Sequence, residues 1–236
     1  MTKSADLSYN EFSEFPSALL GFAKFQKLNL SNNRLSTLPS SFTNYTNLEE
    51  LDISANLFTQ LPELLSKMSS LRSLKLSCTN ALFFKGKDLK NIENLSINFT
   101  KTIDFPEEIF ECNSLNNLSL EGISELPEQI KDLTKLETLK ISRSGLETLP
   151  ESISEMINLK NLYLNNLPLM NKLPDVIFQI ESLAFLDLSG TVLLELPSKL
   201  RHLKNLRKIK LTGCSDKNTI EYWKKRCESW GIEVVF

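Results

Sequence analysis

Residues 136–158 read LETLKISRSGLETLPESISEMIN. Apolar side chains fall at Leu136, Leu139, Ile141, Leu146, Leu149, Ile153 and Met156. Leu139 and Ile141 alternate at period two, the pattern of a short strand with one buried face. Pro150 follows Leu149; it has no N–H to give a sheet and its φ is fixed, so the strand cannot run on. Ile153 and Met156, three apart, suit a helical or 3-10 turn on the way back. Such a unit cannot bury its apolar face alone. Stacked on copies of itself, it can.

The copies are present along the chain. Units begin at Phe25, Leu48, Leu71, Ile92, Leu115, Leu136, Leu159, Leu183 and Leu206, spaced 23, 23, 21, 23, 21, 23, 24 and 23 residues apart. Eight of the nine prolines (Pro16, Pro39, Pro62, Pro106, Pro127, Pro150, Pro174 and Pro197) follow a Leu or Phe at one fixed phase. The ninth, Pro168, lies in the loop of the longest unit. Leu7, Asn10, Phe12, Phe15 and Pro16 fit the same phase, so the opening stretch is expected to be a partial unit with no separate capping domain ahead of it. That end of the stack is thinly covered and is expected to fray.

Written as a consensus, the unit is LxxLxLxxNxLxxLP, carried by Leu48, Leu51, Ile53, Asn56 and Leu61-Pro62, and by Leu28, Leu30, Asn33, Leu35 and Leu38-Pro39. This resembles the leucine-rich repeat family over essentially the whole chain. The unit lengths and the LPxxIxxLxxL tail are similar to bacterial and plant intracellular repeats. The resemblance implies an α/β fold: a right-handed solenoid with a parallel concave sheet, a convex side of irregular or 3-10 turns, and a C-terminal helix-strand cap. Repeats of about nine units, the first partial, are expected over 1–214 and the cap over 215–236. The family usually places Asn at the ninth position of the unit, where its side chain bonds backbone of adjacent coils. Asn10, Asn33 and Asn56 match; Thr79, Thr100, Ser144, Thr191 and Cys214 are smaller groups still able to make one such bond. Leu167 departs from the pattern, and the unit at Glu121-Gly122-Ile123 is two residues short. The unit from Leu71 lacks its proline, and a distorted convex loop is expected at Phe83 to Asp88.

The tail breaks the repeat. Asn218-x-x-Glu221 has the form of a capping box. Ile220, Trp223, Cys227 and Trp230 recur at helical spacing, Gly231 suits the position past a helix end, and Ile232 to Phe236 suits a last strand. The apolar stripe reads as a seal over the final coil.

Composition sets limits. A 41% hydrophobic and 24% charged chain is that of an ordinary folded protein, and a net charge of −2 argues against general nucleic-acid binding. No apolar run reaches membrane-span length, and the N-terminus has no secretory h-region. Cys78, Cys112, Cys214 and Cys227 show no metal or redox spacing; they read as buried or free thiols, with Cys214–Cys227 the one pair that could bridge. Five Asn-x-Ser/Thr triplets occur, at Asn29, Asn44, Asn94, Asn98 and Asn117, four of them on expected strands, where glycans would crowd the face. The expected location is therefore cytoplasmic, or a host cell reached without a classical signal peptide.

Catalytic patterns do not emerge. The single histidine, His202, sits on an expected outer segment, and no phosphate loop, zinc spacing or nucleophile elbow appears. No cofactor or metal is expected, and the chain reads as a non-enzyme. Residues flanking each inward Leu pair should instead point out of the concave side. Most are small and polar. Tyr163 and Phe185, on adjacent units, stand out, because aromatics are enriched where proteins bind. Lys140, Asn161, Asp187, Lys208 and Lys210 surround them, and an acidic pair, Glu50 and Asp52, lies toward the other end. The reading is a protein-interaction module that binds another protein, with no nucleic-acid partner, through this face. In a bacterial setting it would be an effector acting on a host protein. The alternatives are an intracellular scaffold or regulator of a signalling GTPase or phosphatase, and an enzyme or enzyme regulator with unrecognised active residues.

Overall fold

Each phased proline stands at the start of a 3-10 turn. In the computed structural model, which describes residues 3–21, 24–78 and 89–236, these five-residue turns run Ser17–Gly21, Ser40–Asn44, Glu63–Lys67, Glu107–Glu111, Glu128–Asp132, Glu151–Glu155, Asp175–Gln179 and Ser198–His202. The proline brings no N–H, and none is needed there. Its carbonyl accepts from the residue three further on, as from Phe42 N–H to Pro39 (2.9 Å) and from Ile153 N–H to Pro150 (3.2 Å). The donating residue is the one whose side chain enters the core: Phe42, Ile109, Ile130, Ile153, Ile177 and Leu200 are all 0% exposed. The proline therefore begins the return path as well as ending the strand.

The strands are β1 (Ser4–Asp6), β2 (Lys27–Asn29), β3 (Glu50–Asp52), β4 (Ser73–Cys78), β5 (Asn94–Ile103), β6 (Asn117–Ile123), β7 (Thr138–Ser142), β8 (Asn161–Asn165), β9 (Phe185–Asp187), β10 (Lys208–Lys210) and β11 (Glu233–Val235). The chain forms two compact units. The first holds Met1–Lys101 and Pro106–Leu115, and in it β1 to β5 pair in chain order, all parallel. The second holds Thr102–Phe105 and Asn116–Phe236, and in it β6 to β11 pair the same way. Within each unit, described coils stack on one another with strands on one side and 3-10 turns on the other. The alternating residues Leu28 and Leu30, Leu139 and Ile141, and Leu162 and Leu164 are buried. β5 is the longest strand because Thr100-Lys101-Thr102-Ile103 continues a β-branched alternation where other coils bend. Thr100 consequently lies exposed within a strand and does not occupy the buried bonding position expected of it. Thr79 and the loop expected at Phe83 to Asp88 lie outside the described residues.

Eight of the described coils share a backbone signature at the bend. Tyr9, Asn32, Ala55, Gly122, Arg143, Asn166, Gly190 and Gly213 occupy the same phase, and all have positive φ, from 47° to 81°. At this residue the chain leaves the sheet while its N–H still reaches the following coil. Tyr9 N–H donates to Ser31 (3.1 Å), Asn32 to Ser54 (3.0 Å), Asn166 to Ser189 (2.8 Å) and Gly190 to Thr212 (2.8 Å). Gly190 is needed for a second reason: a Cβ there would lie 2.2 Å from Asn166 Oδ1.

In most of these coils the residue after the bend carries a polar side chain that serves the backbone around it. Asn33 Oδ1 accepts from Phe12 N–H (3.1 Å) while its Nδ2 donates to Leu7 carbonyl (2.9 Å) and Leu30 carbonyl (3.0 Å). Asn56 repeats this with Leu35 N–H (2.9 Å) and Leu30 carbonyl (2.8 Å). In the second unit Ser144 Oγ accepts from Gly122 N–H (3.0 Å), Thr191 Oγ1 donates to Leu164 carbonyl (2.7 Å), and Cys214 Sγ donates to Leu188 carbonyl (2.9 Å). Leu167 and Ile123 fill the position with carbon and are fully buried. Leu167 N–H is instead served by Thr191 Oγ1 of the following coil, at 3.4 Å.

Both ends carry extra apolar packing. In the first unit Phe15, Phe25, Phe42 and Tyr45 cluster, with ring centroids 5.1 to 6.1 Å apart. The Tyr45 hydroxyl donates to Leu19 carbonyl at 2.7 Å. In the second unit α1 (Lys217–Ser229) buries Trp223 and Cys227, and Gly231 sits past its end at φ 78°. Its cap is Asp216, not the Asn218–Glu221 box read from the sequence. Asp216 Oδ1 accepts from Asn218 N–H (2.9 Å) and Thr219 N–H (3.1 Å). An Asp one residue before the helix reaches these open N–H groups directly. The bonds from Thr219 and then Asn218 hold its carboxyl below the usual carboxylate range. Among the described residues no helix is long and apolar enough to cross a membrane.

Replacing Asn33 by Ala strands the buried backbone groups of two coils and should lower unfolding free energy by about 2–3 kcal/mol. Ala55→Gly should raise it by about 0.5–1 kcal/mol, the left-handed strain relieved less glycine's own entropy cost. Denaturant titration of the two variants checks both signs.

Candidate functional site

The outward face of the second unit is built by β7 to β11. Inward positions are taken by leucine and isoleucine, so Lys140, Tyr163, Phe185, Asp187, Lys208 and Lys210 sit on the other face by alternation. Strand pairing arranges them in two rows. One runs Thr138, Asn161, Phe185, Lys208, Glu233; the other runs Lys140, Tyr163, Asp187, Lys210, Val235. Phe185 thus stands opposite Asn161, and Tyr163 opposite Asp187. The two rings meet across the diagonal, with centroids 5.1 Å apart and planes tilted by 53°. Both are half-buried. Diagonal neighbours on adjacent strands lie within reach of aromatic side chains, which explains the contact.

The surrounding charges divide into bound and free. Lys208 Nζ pairs with Glu233 at 3.2 Å, and Asn161 Nδ2 donates to Thr138 Oγ1 at 3.2 Å. Among the described residues, Lys140 and Lys210 have neither an ion pair nor a hydrogen bond to their side chains. Asp187 departs from the expected rim role. It is 6% exposed, and its Oδ1 accepts from Ser189 N–H (2.9 Å) and from the Ser189 hydroxyl. The carboxylate fixes the bend after β9. Asp6 with Ser8, and Asp52 with Ser54, repeat the arrangement, and Asn29 with Ser31 repeats its backbone half. An Asp/Asn-x-Ser pattern at strand ends was the available signal. Ser142 and Asn165, one step further along their strands, are also buried, so the usable face is two residues deep.

The first unit offers a different face. Asp6, Lys27, Asn29, Glu50, Asp52, Ser73 and Lys75 line a shallow depression of about 330 Å³. Glu50 is held by Lys27 at 2.6 Å, and Asp52 serves Ser54 N–H at 3.0 Å. The acidic pair read from the sequence is therefore engaged internally. His202 is exposed, with Arg201 Nε donating to its Nε2 at 3.3 Å. All four cysteines are buried and form no disulfide, so Cys214 and Cys227 are not bridged. Burial pushes the thiols of Cys78, Cys112 and Cys214 up to about 12 and that of Cys227 to about 11. Among the described residues no group of His, Cys, Asp and Glu could hold a metal ion.

Comparison with known proteins agrees with the repeat architecture. The family described as "Leucine-rich repeat region" matches residues 108–231, and "Leucine rich repeat" matches residues 26–82. The chain belongs to the leucine-rich repeat family, whose members are commonly protein-interaction modules. No curated protein matches it. Among solved structures it is similar to a Leptospira interrogans leucine-rich repeat protein, with 28% identity, a TM-score of 0.73, and 99% of this chain aligned to 60% of that one. The chain therefore spans 60% of that protein's length. An internalin from Listeria monocytogenes is similar at 16% identity and TM-score 0.61, over 98% of this chain and 75% of that one. The mouse RP105/MD-1 complex is similar at 20% identity and TM-score 0.68, over 98% of this chain and 46% of that one. These last two are likenesses of fold.

The thiols give a prediction with a defined sign. Unfolded chains release thiol protons near pH 9, whereas the native state keeps those of Cys78, Cys112 and Cys214 to about 12. The unfolded state then binds fewer protons, so stability is full below pH 9 and falls from there toward 12. Denaturant midpoints measured across that range should decline. A thiol-reactive dye should label the four cysteines only in denaturant.

Proposed function

We propose that the protein is a non-enzymatic interaction module that binds a partner protein through the outward sheet face of its second unit, centred on Tyr163 and Phe185. The observation that carries this reading is the ring pair, at 5.1 Å, placed on a face whose other outward positions, apart from Val235, are polar or charged. Exposed aromatics cost solvation and contribute strongly when a partner covers them. The family match supports the same reading, because repeats of this kind commonly bind proteins. Two settings suit such a module: an effector acting on a host protein, and an intracellular scaffold. The likeness to a Leptospira protein favours the bacterial setting.

Affinity capture from host-cell and own-cell lysates, with wild type and the double variant Tyr163→Ala/Phe185→Ala in parallel, tests the proposal. The wild type should enrich a defined partner that the double variant loses by at least about tenfold, the scale of a hot-spot aromatic, with its unfolding midpoint nearly unchanged. A partner held equally by both proteins removes the site. Enrichment from host lysate supports the effector setting, and from own-cell lysate the scaffold.

A further inference from the structure

Among the described residues, Lys140 and Lys210 are the cations on this face whose side chains have neither an ion pair nor a hydrogen bond. Lys208 is tied to Glu233 at 3.2 Å. Glu121, at the far end of β6, accepts from Ser142 (3.0 Å) and lies 3.5 Å from Arg143. Asp187 stands between Tyr163 and Lys210 in the register, but it is buried and turned into the bend through Ser189. A partner approaching the face meets two rings, with a free ammonium on either side of them along the row.

Spacing limits what can sit there. Lys140 is on β7 and Lys210 on β10, three strand steps apart in one registered row. Three steps at about 4.8 Å make roughly 14 Å. An extended chain rises about 3.4 Å per residue, so it covers that distance in about four residues. The two outward rows are only about 7 Å apart, two residues along a strand. That width fits one extended segment better than a helix about 10–12 Å across.

We infer that the occupant is an extended protein segment carrying two carboxylates about four residues apart, with an apolar side chain between them that packs on Tyr163 and Phe185. The inference rests on the proposed use of this face. In it, Lys140 and Lys210 set the register and charge preference, and the rings supply the apolar contact.

The test is selection of a random short-peptide display library on the full chain, followed by binding measurements on an enriched synthetic peptide. Enriched sequences should carry Asp or Glu at two positions about four apart around a Leu, Ile, Val or aromatic residue. Lys140→Ala and Lys210→Ala should each weaken the peptide by about two- to fivefold, the range for exposed ion pairs, and added salt should weaken it further. The double reversal Lys140→Glu/Lys210→Glu should select Lys or Arg at the same two positions. Enriched peptides without acidic bias, lost on Tyr163→Ala/Phe185→Ala, overturn the charge assignment and leave the binding face standing. Peptides indifferent to the ring pair overturn both. A library that yields no enriched sequence also overturns the inference, since segments of this chemistry are among its members.

Discussion

The stack depends on how each coil satisfies its backbone at the point where the chain leaves the sheet. A strand that ends over an apolar core strands N–H and C=O groups where water cannot reach them, at a cost of order 1–3 kcal/mol each. Here one residue turns into the left-handed region and keeps its N–H on the following coil. The next residue turns a short polar side chain inward to serve the coil before it, as Asn33 does for Phe12 and Leu7. The leucines supply most of the burial energy, but they would stack equally well at several offsets. The strand ladder and the hydrogen bonds at the bend together hold the spacing of successive coils.

That constraint also decides what the outward face contains. Residues at the strand ends are recruited to the bend. Asp187 is bound to Ser189 and nearly inaccessible, and Asn165 and Ser142 are covered. What remains outward is a strip two residues deep, fixed in register by parallel pairing. On it the side chains are held apart by the strand spacing and cannot rearrange far. Under the proposed use of this face, a partner would meet backbone positions already placed, which reduces the ordering cost of binding.

Much of this was legible in the residues. The LxxLxL alternation and the phased prolines located strands and turns because inward leucine and missing N–H act locally. The ninth-position residues Asn33, Asn56, Ser144, Thr191 and Cys214 follow from the same phase. Thr100 was misread because phase alone does not reveal that its β-branched neighbours favour continuing the strand. Asp216 was missed because the Asn218-x-x-Glu221 pattern hid a simpler cap. Asp187 was read as a rim charge because alternation gives the side of the sheet and not the depth; the Asp-x-Ser pairing that fixes the depth recurs in the sequence at Asp6 and Asp52. The left-handed bend was hidden for a different reason. Tyr9, Ala55 and Arg143 occupy it without being glycine or asparagine, so the hydrogen bonds there override local preference.

The aromatic pair can be separated from the fold on energetic grounds. Outward positions on other strands carry Lys27, Glu50, Ser73 and Lys75, so the sheet does not need rings there. The contact between Tyr163 and Phe185 is worth about 0.5–1.5 kcal/mol. The inward residues of the same strands, Leu162, Leu164 and Leu186, are fully buried, and removing one costs about 2–5 kcal/mol. Stability thus resides on one side of each strand, and the other side is free to specialise. The pair half-shields itself in the free protein, so its remaining exposed area is available to a partner at little reorganisation cost.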